Sequence, residues 1–251
     1  MQKLANIKIG KAELDLPLSE KRGLTLSNTG GEYQLYHFLP IGDVTATSPA
    51  DNQLGVEWMG HSLDDHTRIA VSFVSSNGGN PGLPTGRSYD IYAHASHAFG
   101  TNRVGAYVYY GLQSTTYLTS GGEAIPGTGS NNKSYYRAGF YGTVYAGRFD
   151  LTGVYQHASD DVHLGTGIPA DGTPIPDGAQ SPAWNIGTFE AHFTVTPRLF
   201  VLGRYELARM SQQALPDIPS ALGNTYVFTI GCRMYPFINS RAGFIRRDSA
   251  G

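Results

Sequence analysis

The chain has 251 residues, of which only 15% are charged, with 32 glycines, 16 tyrosines and one cysteine, Cys232. Soluble domains average about 25% charged residues, so either a large surface is hidden or the surface does not face water, yet no run reaches the ~20 apolar residues of a membrane-spanning helix. A net charge of −2 and a pI of about 6.4 give no basis for a nucleic-acid partner, and a lone cysteine excludes an intrachain disulfide and a CxxCH haem site.

In chain order, the elements read as strands. Apolar residues recur with period two, which places successive side chains on opposite faces. LANIKIG (4–10) is the first such run. Residues 14–51 then break the pattern with mixed charge and only short strand-like pieces, before QLGVEWMG (53–60) and RIAVSFVS (68–75) resume it. YDIYAHASHAF (89–99) groups Asp90, Tyr92, His94 and Ser96 on one face. RVGAYVYYGLQ (103–113) sets Val104, Ala106, Val108, Tyr110 and Leu112 against Arg103, Tyr107, Tyr109 and Gln113. KSYYRAGFYGTVYAG (133–147) and RFDLTGVYQ (148–156) alternate in the same way, as do IGTFEAHFTV (186–195), RLFVLGRYEL (198–207), NTYVFTIGCRMY (224–235) and SRAGFIR (240–246). Several runs match the ~9–11 residues with which a tilted strand crosses a bilayer.

The connections alternate in length. Short ones fall at 62–67, 100–102, Gly147, Pro197 and 238–239; long ones, rich in Gly, Pro, Ser, Asn and Asp, fall at 77–87, 114–132, 160–183 and 211–223. Outer-membrane barrels combine short periplasmic turns with long extracellular loops. The pattern therefore predicts an all-β fold, a transmembrane antiparallel up-and-down β-barrel, as one domain over 1–251. By parity, 14–51 lies on the extracellular side or folds into the barrel, as a candidate pore-constricting loop with Glu13 at its entrance and Asp15, Glu20, Lys21 and Arg22 within it. A surface loop or an extra hairpin is the plainer reading of that segment. About eleven strands are expected, whereas single-chain bacterial barrels use even numbers. The chain starts at a strand and ends in RRDSAG, so an incomplete barrel is expected.

With the apolar face toward lipid, the opposite face lines a lumen. That face carries Lys8, Arg68, Arg103, Arg137, Arg204 and Arg233, with Glu57, Asp90, Asp150, Glu190 and Glu206. Charged rings set ion preference in a pore, but mixed signs also fit a lumen braced by salt bridges. Outward-facing Trp58, Tyr110, Tyr136, Tyr155 and Tyr205 suit interfacial girdles, and Cys232 suits a small apolar filler.

The sequence resembles bacterial outer-membrane porins, most closely the group around the phosphate-selective porins and the barrels found with multihaem cytochromes. The resemblance lies in IKIGKAELDLPLS, a strand with a central glycine running into a proline-containing loop, and in WNIGTFEAHFTVTPRLFVLGRYE followed by RMYPF. It implies passive diffusion of small hydrophilic solutes or ions across the bacterial outer membrane, with no cofactor and no catalytic residue. Its implied partners are outer-membrane lipid and the solutes themselves, with a homo-oligomer or a periplasmic cytochrome as further possibilities. Phosphate-type members concentrate Lys and Arg in the pore loop; here Lys11, Lys21 and Arg22 are offset by Glu13, Asp15 and Glu20.

Two alternatives belong to other classes. A structural sheath around a periplasmic multihaem cytochrome would need a wide lumen. An outer-membrane lipid hydrolase would use His94 and Ser96, which share a face as a base–nucleophile pair requires. That face is the polar one, however, and His97 follows where such enzymes carry asparagine. Asp160, Asp161 and His163 have the spacing to hold a divalent cation, though such clusters at loop entrances are usually solvated, and no metal is expected.

Overall fold

The computed structural model describes residues 5–18, 53–75, 89–114, 132–162, 174–215 and 224–235. They form one antiparallel sheet of ten strands in simple sequence order: β1 (Ala5–Ala12), β2 (Gln53–His61), β3 (Thr67–Ser75), β4 (Tyr89–Phe99), β5 (Asn102–Ser114), β6 (Asn132–Ala146), β7 (Phe149–Asp160), β8 (Ala183–Thr196), β9 (Leu199–Gln212) and β10 (Thr225–Met234). The architecture is all-β and up-and-down. β1 and β10 are the edges, and no ladder joins them among the described residues. The eleventh expected strand, at 240–246, and the turn at 238–239 lie outside the described residues.

Each strand follows from its sequence period. β10 alternates strictly between half-buried Thr225, Val227, Thr229, Gly231 and Arg233 and exposed Tyr226, Phe228, Ile230, Cys232 and Met234. Register carries each face across the sheet. Arg68, for instance, stands opposite Ser96, which stands opposite Gly105, which stands opposite Tyr141. The register shifts only within the β8–β9 pair, at Ala183/Trp184 and Thr194/Thr196.

Turn chemistry sets the short end. Gly100 (φ 61°) and Gly147 (φ 63°) open the two-residue connections 100–101 and 147–148. A left-handed first position suits the primed hairpin turns, whose twist matches that of the strands. In the 62–66 turn, the Ser62 hydroxyl and the His66 amide both donate to Asp64, and these bonds hold its carboxyl below the usual carboxylate range. The two-residue connection 197–198 lies at the same end, and the strand ends flanking 13–52, 76–88, 115–131, 161–182 and 213–224 meet the opposite end of the sheet. The predicted loops 77–87 and 114–132 fall almost wholly outside the described residues, and those at 160–183 and 211–223 partly so.

The two faces invert the usual distribution of polarity. On one face Ile9, Phe73, Phe140, Phe228 and Ile230 are exposed, Ile9 by 80%. On the other, inner face, tyrosines and ionisable groups are buried. Between β5 and β6, three tyrosines lie over glycines directly across the ladder: Tyr141 over Gly105, Tyr135 over Gly111 and Tyr107 over Gly139. A Cβ at Gly139 would stand 2.7 Å from the Tyr107 ring. Side-chain bulk there would displace the ring, so the inner face depends on these glycines.

Candidate functional site

All eleven residues read as lumen candidates fall on one face of the sheet, the inner one. Residues paired directly across a ladder share a face, and the registers connect them. Their exposure is far less uniform. Glu57, Asp90, Arg137, Glu190, Arg204 and Glu206 are buried, whereas Lys8, Arg103, Asp150 and Arg233 are half-buried and Arg68 is exposed. Arg68 stands beside the 62–66 turn and meets Asp65 at 3.4 Å. Burying a charge is costly unless it is paired or hydrogen-bonded, and each of these buried groups has an ion-pair or hydrogen-bond partner.

The deepest network runs across β7, β8 and β9. Arg204, 1% exposed, donates from Nε to Glu190 Oε2 at 2.7 Å, and its Nη1 lies 3.8 Å from Glu206 Oε2. His192 donates from Nε2 to Glu190 Oε1 at 2.8 Å and places Nδ1 3.8 Å from Asp150. Exposure rises along this chain from buried Glu190 to half-buried Asp150, toward the short-turn end. The neighbouring Trp184 Nε1 and Thr188 Oγ1, on the same face of β8, are buried with no hydrogen-bond partner among the described residues.

A second network centres on Asp90. Tyr109 and Tyr135 donate to its Oδ2 at 2.6 and 3.0 Å, and the Leu112 amide donates to Oδ1 at 3.2 Å. Arg137 donates to Asp160 at 2.7 Å and to the Tyr136 and Ser159 carbonyls. Asp160 therefore serves an ion pair. His163 lies outside the described residues, and no cluster able to hold a metal occurs among those described.

The third network brings in the segment after β1. Residues 13–18 turn back over the inner face and bury Leu14 and Leu18 in the cluster that includes Val74, Tyr92 and Tyr109. Asp15 is the anchor. Its amide donates to Glu57 Oε2 at 3.3 Å, its carbonyl accepts from the Tyr92 hydroxyl at 2.7 Å, and its carboxylate accepts from His94 Nδ1 at 3.0 Å. In that tautomer His94 Nε2 is an acceptor, and the Tyr141 hydroxyl stands 2.9 Å away to donate. Glu57 also receives Lys8 Nζ at 2.7 Å and the Ser72 hydroxyl at 2.9 Å. Asp15 thus touches β2 and β4 with three different groups. Glu13 is half-buried beside it, and Glu20, Lys21 and Arg22 lie outside the described residues.

His94 and Ser96 share the inner face, and they do not engage each other as base and nucleophile. His94 is occupied by Asp15 and Tyr141, and Ser96 accepts from Arg103 Nη1 at 2.9 Å. Several participants have no mark in the sequence reading: Leu14, Leu18, His192, Gln156 and Trp184. His192 and Trp184 were discoverable, because period two places both on the face of Glu190. Gln156, which accepts from the Tyr107 hydroxyl at 2.8 Å, also lies on the inner face of its strand. A scan of protein-family models and a search of curated proteins find no match to this chain.

Proposed function

We propose that this chain forms the wall of a porin-type β-barrel in a bacterial outer membrane and lets small hydrophilic solutes or ions pass through a narrow polar interior. One observation carries the reading: the sorting of charge between the faces. Every Asp and Glu in the ten strands, namely Glu57, Asp90, Asp150, Asp160, Glu190 and Glu206, lies on the inner face. The outer face is dominated by Ile, Val, Phe, Tyr, Leu and Ala, with its polar side chains toward the strand ends. In water such a face would be an aggregation surface; against hydrocarbon it is the expected wall. No helix among the described residues is long and apolar enough to cross a membrane, and strands cross by a different rule.

The interior supports a restricted pore better than a wide one. Buried ion pairs brace the wall, and residues 13–18 lie across the inner face with Asp15 at their centre. A sheath around a periplasmic cytochrome needs an interior open to its partner, and Leu14 and Leu18 occupy part of that space. Reconstitution into a planar bilayer tests the proposal. The full chain should give discrete conductance steps, small for a barrel of this strand number, while a silent bilayer with inserted protein would remove the pore function.

A further inference from the structure

Only two charged residues of the described strands face outward, Lys11 and Arg209, and both are basic. Both stand at the long-loop ends of their strands, β1 and β9. A cation on a lipid-facing wall costs about 2–4 kcal/mol at the bilayer midplane and almost nothing at the interface. Their position therefore places them at the headgroup level of the loop-side leaflet.

Arg209 does not stand alone. Register aligns it with Asn185 on β8 and His157 on β7, in one outward row. Tyr155 Oη and His157 Nδ1 both donate to Asn185 Oδ1, at 2.8 and 3.0 Å. The Asn185 amide nitrogen has no hydrogen-bond partner among the described residues. The Tyr136 ring packs 5.9 Å from the His157 ring. The Arg209 guanidinium is exposed and has no hydrogen-bond or ion-pair partner among the described residues. The row thus offers a planar fork of N–H donors and an amide donor, with no carboxylate on the same face. Below it the wall returns to apolar and aromatic residues, with Tyr205 and Tyr226 exposed on β9 and β10.

We propose that this row binds the net-anionic phosphate headgroup of a membrane lipid in the loop-side leaflet, one whose charge no choline cancels. The inference rests on the membrane reading above. A guanidinium matches a phosphate through paired N–H bonds. The acyl chains would lie along the apolar strands beneath, which a free phosphate ion could not exploit. Charge complementarity, the interfacial position and the apolar belt all fit that one occupant.

The test uses the full chain in vesicles of phosphatidylcholine, with and without phosphatidylglycerol. Flotation with pure phosphatidylcholine vesicles comes first, and failure to float would count against the membrane reading itself. Native mass spectrometry of the protein released from micelles holding equal amounts of both lipids then reads lipid retention. Wild type should retain phosphatidylglycerol preferentially. Arg209→Gln should weaken that retention about fivefold, the worth of one basic side chain at an anionic surface, and Arg209→Lys should keep most of it. Equal retention of the two lipids by a protein that floats, or an unchanged preference in Arg209→Gln, would overturn the inference alone. Displacement of the lipid by excess inorganic phosphate would assign the row to a free anion and equally overturn it. Should Arg209→Gln fail to insert, the wild-type preference and its survival of excess phosphate decide.

Discussion

Asp15 and His94 are 79 positions apart in sequence, yet the Asp15 carboxylate accepts a hydrogen bond from His94 Nδ1 at 3.0 Å. This contact ties the segment after β1 to the middle of β4, and the Tyr141 hydroxyl on β6 completes the line through His94 Nε2. The backbone of Asp15 is held as firmly as its side chain, through Glu57 and Tyr92.

Loss of that carboxylate should loosen the strap without abolishing the wall. Asp15→Ala removes the contact to His94 and leaves the two backbone bonds, Leu14 and Leu18 in place, a cost of about 1–3 kcal/mol for one charge-assisted bond. Single-channel recordings should show larger or more frequently open conductance steps than wild type. His94→Ala should act in the same direction. Conductance unchanged in both variants would mean that residues 13–18 do not govern the open area.

Arg204 makes the opposite kind of contribution. It sits between Glu190 and Glu206, all three nearly fully buried. Arg204→Met takes the guanidinium from Glu190 and leaves carboxylates in a low-dielectric site, which typically costs 3–5 kcal/mol. The urea midpoint for unfolding from vesicles should fall sharply. A triple change to Met at 204 and Gln at 190 and 206 should recover much of the loss, because the buried charge goes with its partner. If Arg204→Met alone left the midpoint unchanged, the network would be structurally idle.

Much of this was legible in the residues, and the limit is physical. A strand's side-chain period is two whatever its tertiary surroundings, so alternation in RVGAYVYYGLQ or NTYVFTIGCRMY assigns faces without knowledge of neighbours. The inward placement of Arg137, Glu190, Arg204 and Glu206 followed directly. Their partners did not. Arg204 meets Glu190 because of the β8–β9 register, which two irregularities shift, and no local pattern encodes that shift. Asp15 was visible only as one charge in a mixed segment, since its contacts come from strands 42 and 79 positions away. Asp160 and Asp161 read as solvated carboxylates at a loop entrance, whereas Arg137 claims Asp160 through cross-strand geometry.

The glycines of β5 and β6 offer a test of packing independent of charge. Gly139→Val should force the Tyr107 ring off its seat and lower stability by about 1–3 kcal/mol, the usual cost of overpacking. Gly203→Val should be mild, because a Cβ there meets nothing within 4 Å. The two can be compared by the temperature at which the folded band is lost on unboiled gels. Equal midpoints would mean that the tyrosine–glycine pairs do not lock the inner face.

The central claim is that the outer face of the sheet meets lipid, and the chain's two tryptophans report on it directly. Trp58 is 42% exposed on the outer face, while Trp184 is 2% exposed on the inner one. In vesicles of phosphatidylcholine brominated along its acyl chains, fluorescence from Trp58 should be strongly quenched and that from Trp184 largely spared. Trp184→Phe should therefore preserve the quenching and Trp58→Phe should abolish it. Quenching of Trp58 by aqueous iodide instead, with brominated lipid without effect, would contradict the account.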